Sequence, residues 1–481
     1  MATKIVLALV ISLLAYAATG AEENLRPCRS SAEQCRLQRL RTLEPTRRIQ
    51  SEGGLTEIWD PSEDELQCAG VAAIRNTLQP NSLFLPGFHP APLLVYIEQG
   101  EGLMGLSHPG CPETYESESQ RELSRRRSFS RSRAGGSQEQ EQRERRSDHH
   151  QKVHRFRQGD ILAIPAGAVH WCYNDGNEEL VAFAVMDLNN QANQLDLNFR
   201  SFFLAGGEPR QEGQRGERGT SRQRGMENFQ SLFSGFSEEL LAEAYDIPIN
   251  IARRLQEDES RRGIIVRCQD EMRRMIRPDE EREDQERRWT INGEEENGVE
   301  ETICTTRFRH NMNTLCESDI VSRQAGRIHL VNQHKLPILR FLDLSAEKGR
   351  LFPNAIYTPH WSMTDHRIVY VLRGDAQVQI VDNHGNTVFN DRVNRGQMFV
   401  IPQFYAVTTR VGNEGFEYVS MKTSGQPMKS PMAGYTSVIR AMPIDVLVNS
   451  YRMSPREAQD LKYNRGHQSF LLSSGRSSAS P

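Results

Sequence analysis

Gly159-Asp160-Ile161-Leu162-Ala163-Ile164-Pro165-Ala166-Gly167-Ala168-Val169-His170-Trp171-Cys172-Tyr173-Asn174 holds a short apolar run between a glycine and a proline, followed by a histidine. A short apolar run closed by turn residues reads as a buried β-strand. Its first half recurs as Gly396-Gln397-Met398-Phe399-Val400-Ile401-Pro402. Three other landmarks recur in the same order. Val95-Tyr96-Ile97-Glu98-Gln99-Gly100 is similar to Val369-Tyr370-Val371-Leu372-Arg373-Gly374, and Leu204-Ala205-Gly206 to Met432-Ala433-Gly434. Leu241, Tyr245, Ala252 and Leu255 share their spacing with Leu447, Tyr451, Ala458 and Leu461. Four matched landmarks in one order mark an internal duplication.

The offset between copies falls from 274 through 237 and 228 to 206, and each fall means extra residues in the first copy. The extra residues lie in 116–150 and 208–224, rich in Ser, Arg, Glu, Gln and Gly. Such segments bury too little apolar surface to offset ordering entropy, so disordered insertions are expected at about 112–150 and 207–228. A third charged segment spans 278–296. The shared parts, such as 93–97, 161–164, 368–372 and 378–381, are short apolar or alternating runs punctuated by Gly, Pro and Asn-Gly. That pattern argues antiparallel β. Helical signals come only near the end of each copy. Ser237 caps 238–244, Pro248 opens 249–255, Pro443 opens 444–450, and Ser454-Pro455 caps and opens 456–461. The expected fold is mainly β: two β-barrel or jelly-roll domains, each followed by a small amphipathic helical arm suited to subunit contacts.

Gly159, Pro165, Gly167, His170 and Asn174 together resemble the second motif of the cupin superfamily at all five fixed positions. In metal-binding cupins that histidine is a ligand, and two histidines and a glutamate of a first motif supply the others. Here His89 stands at one imidazole position, Gly87 at the other, and Leu93 or Leu94 where the glutamate belongs. A catalytic metal usually needs three protein ligands and an open position. His89 and His170 are therefore vestigial candidates, and the reading favours His170 as a packed structural residue with no metal expected. The second copy departs further. Phe404 and Val407 replace the motif's Gly and His, Ser362 follows His360 where a second histidine belongs, and His366 and Arg367 fall at the glutamate position. The chain also lacks a Walker loop and a G-x-S-x-G nucleophile elbow. No catalytic residue and no cofactor is expected.

Residues 1–20 read as a secretory signal peptide, with Lys4 before an apolar run and a cut between Gly20 and Ala21 or one residue later. No other segment is long and apolar enough to cross a bilayer, so no membrane partner is expected. Eight cysteines in a secretory route make disulfides expected, but spacing does not give their pairing. Of the 59 basic residues only seven are Lys, and Arg and Gln crowd the polar loops, which suits nitrogen storage. The run Arg125–Arg133 attracts phosphate by charge alone. Neighbouring glutamates dilute it and the secretory route misplaces it, so no nucleic-acid partner is expected.

Charge changes sign across Asn297-Gly298-Val299-Glu300-Glu301-Thr302. Residues 298–481 carry 21 Lys+Arg and 15 Asp+Glu, whereas the rest carry 38 and 48. An Asn-Gly turn flanked by charged sequence is where proteases cut. This hexapeptide resembles the processing site of legumin-type 11S seed globulins, and the resemblance extends over 30–470, including Ile49-Gln50-Ser51-Glu52-Gly53-Gly54 and Cys68-Ala69-Gly70-Val71. It implies cleavage between Asn297 and Gly298 by an asparaginyl endopeptidase, a Cys35–Cys68 bridge within the acidic chain, and a Cys111–Cys304 bridge between chains. Cys172, Cys268 and Cys316 are then expected as buried free thiols and Cys28 as a mobile one. Assembly as a trimer and then a hexamer, storage in seed protein-storage vacuoles, and hydrolysis at germination are also implied. The domains expected are a signal peptide (1–20), an N-terminal cupin (30–256), a charged linker (257–297), a C-terminal cupin (298–470) and a flexible tail (471–481). The competing function is a secreted metal-dependent cupin enzyme.

Overall fold

The computed structural model describes residues 35, 37–111, 150–206, 229–256, 262–269, 272, 275, 304, 306–314 and 317–473. Gly20, Ala21, Asn297, Gly298, Cys28, Cys316 and nearly all of the insertions lie outside the described residues.

Strands β1 (Arg47–Ser51), β2 (Gly54–Trp59), β3 (Val71–Leu78), β4 (Ser82–Phe88), β5 (Leu93–Gln99), β6 (Glu101–Ser107), β7 (Val153–Arg157), β8 (Asp160–Ile164), β9 (Val169–Asn174), β10 (Leu180–Asp187), β11 (Phe202–Phe203), β12 (Ile265–Arg267) and β13 (Arg309–Asn311) form two antiparallel sheets. Their orders are β1-β2-β3-β10-β5-β8-β13 and β11-β4-β9-β6-β7, with β12 on β4. Ile58, Ile74, Leu93 and Leu162 of the first sheet meet Phe84, Met104, Phe156 and His170 of the second across a shared interior. The second copy uses β14 (Ile320–Ser322), β15 (Gly326–Val331), β16 (Ser345–Leu351), β17 (Ile356–Ser362), β18 (Arg367–Val381), β19 (Thr387–Asn394), β20 (Met398–Ile401), β21 (Ala406–Lys422), β22 (Lys429–Pro431) and β23 (Leu471–Leu472). There β21 pairs with β17 through its N-terminal half and with β16 through its C-terminal half, so one strand serves both layers.

The duplication holds pair by pair. Val95 sits opposite Leu162 in β5 and β8, and Val369 sits opposite Phe399 in β18 and β20. Gly159 and Gly396, at φ 88° and 84°, make the equivalent turns that a Cβ would strain. One difference is that 368–372 and 378–381, read as separate runs, lie in the single strand β18. Its Gly374, at φ 71°, is absorbed as a register shift, whereas Gly100, at φ 81°, ends β5.

Four helices form the arms where helices were expected: Glu238–Tyr245, Ile249–Gln256, Ile444–Tyr451 and Pro455–Tyr463. Ser237 accepts from the Leu240 amide, and Ser454 and Glu457 make a reciprocal capping box. Leu241, Ala252, Leu447 and Ala458 are buried, while Tyr245 and Tyr451 face outward at equivalent positions. Helices are not confined to the arms, however. Asp64–Ala69 and Leu339–Leu342 precede β3 and β16. They end on left-handed Gly70 and Asp343, 273 residues apart, one short of the offset between Val95 and Val369. Helices of one turn or little more are too short to show periodicity.

The expected domain boundaries are crossed in four places. Leu37 and Leu40 pack in the core of the second copy, and the amides of Leu40 and Leu43 bond the carbonyls of Val388 and Met398. In return β13, from beyond the expected processing site, pairs with β8 of the first copy. Residues 264–266, placed in the linker, are buried, and β12 pairs with β4. Leu471 and Leu472, placed in the flexible tail, are buried and pair with β17. Ile264-Ile265-Val266 and Leu471-Leu472 are brief apolar runs within polar sequence that find a sheet edge which would otherwise expose unpaired amides.

Candidate functional site

The interior of the first barrel is a cavity of about 80 Å³. His89, just past β4, and His170, on β9, reach it, with ring centroids 5.4 Å apart. Each is held through Nδ1: His89 faces the Arg200 carbonyl at 3.2 Å and the Ser201 hydroxyl at 3.1 Å, and His170 faces the Ala168 carbonyl at 3.2 Å. Burial, reinforced by His170, lowers the His89 pKa to about 3. Burial also lowers that of His170. Both rings are therefore neutral at physiological pH. The remaining lining is mainly apolar, with Thr56, Asn76 and Ser201 as its polar members, Leu93 in place of the missing glutamate and no carboxylate among the lining residues. Gly87 pairs with His170, and a Cβ there would come within 2.9 Å of the Phe202 carbonyl. Strand β11 thus occupies the space a second first-motif imidazole would need. The Cys172 thiol also lines the cavity, and burial pushes its pKa up. Thiolate, the form that binds metal, is disfavoured there. Cys172 and Cys268 are free as expected but half-buried rather than fully buried.

The equivalent place in the second barrel holds charge instead of space. Glu347 is fully buried and accepts from Tyr418 Oη at 2.7 Å, from Tyr357 Oη at 3.4 Å and from Lys429. Lys422 Nζ lies 3.1 Å from Glu347 Oε2 and 3.8 Å from Asp365 Oδ2. Burial alone would raise the Glu347 pKa, but Lys422, Lys429 and Arg367 outweigh it and hold the carboxyl well below its usual range. His360 spends Nδ1 on the Thr358 carbonyl at 2.7 Å and Nε2 on Arg367 at 2.9 Å. Burial, with Arg367 and Lys429, keeps its pKa well below the ordinary value. Arg367 occupies the glutamate position of the motif, so a donor stands where a metal would need an acceptor. Register places Ile74, Ala182, Phe84 and Leu93 of the first copy opposite the roles of Glu347, Tyr418, Tyr357 and Arg367. One interior is mainly apolar and the other is a buried ion cluster. Neither brings three metal ligands together.

The expected cysteine pairs are bonded, with Cα–Cα separations of 4.7 Å for Cys35–Cys68 and 5.5 Å for Cys111–Cys304. The first ties the segment before Leu37 to the helix Asp64–Ala69. The second ties the end of the β6 hairpin to the segment leading into β13.

Residues 40–209 and 312–459 match the cupin family model. The chain is 52% identical to 11S globulin seed storage protein 2 of Sesamum indicum, over 98% of this chain and 99% of that protein. It is 46% identical to 11S globulin seed storage protein 1 of Carya illinoinensis, over 93% and 92%. Among solved structures, procruciferin, the 11S globulin of Brassica napus, superposes with a TM-score of 0.76 at 34% identity, covering 92% of this chain and 99% of that one. With two cupin domains, the halves bridged and these relatives matching almost end to end, the chain belongs to the 11S globulin family of seed storage proteins, within the cupins.

Proposed function

We propose that this chain is a nitrogen and amino-acid reserve of seeds, cut between Asn297 and Gly298 into an acidic and a basic chain and hydrolysed at germination. The observation that carries the reading is the state of the two barrels. One is sealed by apolar side chains and β11, the other is occupied by a buried ion cluster of Arg367, Lys422 and Lys429 with Glu347 and Asp365. A secreted metal-dependent cupin enzyme would need a third ligand that neither barrel supplies. What remains is a dense scaffold that releases its value only when digested.

The interwoven halves support the processing step. Cys111–Cys304, β13 on β8 and Leu40 on the second copy hold the products together once the connection is cut. An asparaginyl endopeptidase of the storage vacuole is the expected protease. The exposed Leu240, Tyr245, Val446, Tyr451 and Leu461 on the arms support self-association, first as trimers and after cleavage as hexamers. Asn297→Gln tests the coupling: the uncut variant should stop at the trimer, and hexamers formed from it would overturn the cleavage-gated assembly.

A further inference from the structure

Away from both barrels, His310 on β13, Glu317 in the following loop and His329 on β15 converge on one point. His310 Nε2 lies 3.4 Å from His329 Nε2 and 3.1 Å from Glu317 Oε2, and His329 Nε2 is 3.9 Å from the same oxygen. Among the described residues this is the one group of three potential ligands brought so close together. We propose that these three residues form a binding site for a first-row divalent cation of the zinc class, clipping the start of the basic chain to both cupin sheets.

Hydrogen bonding alone serves this arrangement poorly. A single Nε2–H on His310 can point at His329 or at Glu317, but not at both. A cation equidistant from all three atoms uses every lone pair at once. Zinc binds imidazole nitrogen at about 2.0–2.1 Å in tetrahedral sites, which sets neighbouring ligand atoms roughly 3.3 Å apart. The three separations bracket that edge length. Two imidazoles and one carboxylate also suit zinc, copper or nickel better than calcium or magnesium, which favour all-oxygen shells.

The surroundings are compatible. His329 is buried, His310 is half-buried and Glu317 is exposed, which leaves one side open for a water as fourth ligand. A polar cavity of about 240 Å³ reaches His329 and Ser318. Two nearby cations are paired, Lys335 with Asp319 at 2.8 Å and Lys348 with Glu417 at 3.0 Å, while Arg327 and Arg350 also line that cavity. His310 lies opposite Ile161 of the first copy, and His329 lies opposite Lys348 of the second. A bound ion therefore spans the two cupins just after Cys304, where cleavage leaves the new basic chain with a free end.

The test is calorimetric titration of the tag-free, chelator-stripped full chain with Zn²⁺, paired with Co²⁺ as an optical probe. The expected result is one equivalent bound per chain, with the visible absorption of tetrahedral Co²⁺. His310→Gln and His329→Gln should each abolish the Co²⁺ band, and His89→Gln/His170→Gln should leave it. Glu317→Gln, at an exposed position that the fold does not depend on, should weaken Zn²⁺ binding at least about tenfold. Absence of stoichiometric binding, or equal binding by wild type, Glu317→Gln and His310→Gln, would overturn the site.

Discussion

Arg367 Nη1 lies 2.9 Å from His360 Nε2, and both side chains are buried. In a metal-binding cupin the arginine's position is a carboxylate that helps hold a cation. Here it is itself the cation, and it uses the lone pair that a metal would take. The change is more than a lost ligand. It recruits Glu347 and Asp365 as counter-charges and Lys422 and Lys429 as further partners, so the former site becomes a structural element.

That element sets the first prediction. Glu347→Gln leaves Lys422, Lys429 and Arg367 buried with one carboxylate between them. Breaking a buried ion pair by removing one partner costs about 3–5 kcal/mol. The variant should unfold at clearly lower denaturant concentration than wild type, or fail to fold. An unchanged midpoint would mean the cluster is hydrated and contributes little.

Acid sensitivity follows from the same buried groups. His89 and His154 have pKa values lowered to about 3, each mainly by burial, and His329 to about 4. The unfolded chain takes up these protons from about pH 6.5 downward while the native chain does not, so stability falls with falling pH across that window. Glu347, depressed below its ordinary 4.5, adds a loss that begins only below that value. Asp187, raised by burial to about 7, acts the other way, gaining stability as pH falls from about 7 toward 3.8. The histidines outnumber it, so the melting temperature should drop between pH 7 and pH 4. A flat or rising profile would contradict these assignments.

Reduction alone should not separate the two chains. Once Cys111–Cys304 is opened, β13 still pairs with β8, and Leu37 and Leu40 still pack in the core of the second copy. Burying each of those leucines contributes roughly 1.5–3 kcal/mol. Size-exclusion chromatography of the cleaved protein in reductant should give the unreduced elution volume, and Cys111→Ser should behave likewise. Release of a small basic chain without denaturant would show that the bridge alone joins the halves.

The arms offer a separate test. Tyr245 and Tyr451 occupy equivalent, exposed positions in the two copies. Tyr245→Asp/Tyr451→Asp should yield monomers of unchanged circular dichroism, because neither ring supports its own barrel. Trimers from this variant would place the subunit contact elsewhere.

Much of this architecture was legible in the sequence. Landmarks such as Gly159/Gly396 and Val95/Val369 mark turn and core positions whose residue types the fold constrains tightly, so they survive divergence. Elements that exchange between halves were not legible. Ile264-Ile265-Val266 and Leu471-Leu472 are short runs that read as linker or tail until a sheet edge receives them. The ion cluster was hidden for another reason. Glu347, Arg367, Lys422 and Lys429 are scattered over three strands and β22, and nothing local shows that these charges face inward. His310, Glu317 and His329 likewise follow no ligand spacing, since they meet only where β13 crosses to the first barrel.

The account rests most directly on cleavage at Asn297 of a chain whose halves are bridged. Mature protein run on denaturing gels with and without reductant, followed by N-terminal sequencing of the smaller band, measures both. The account predicts one band without reductant and two with it, the smaller beginning at Gly298. A single intact chain under reducing conditions would contradict it.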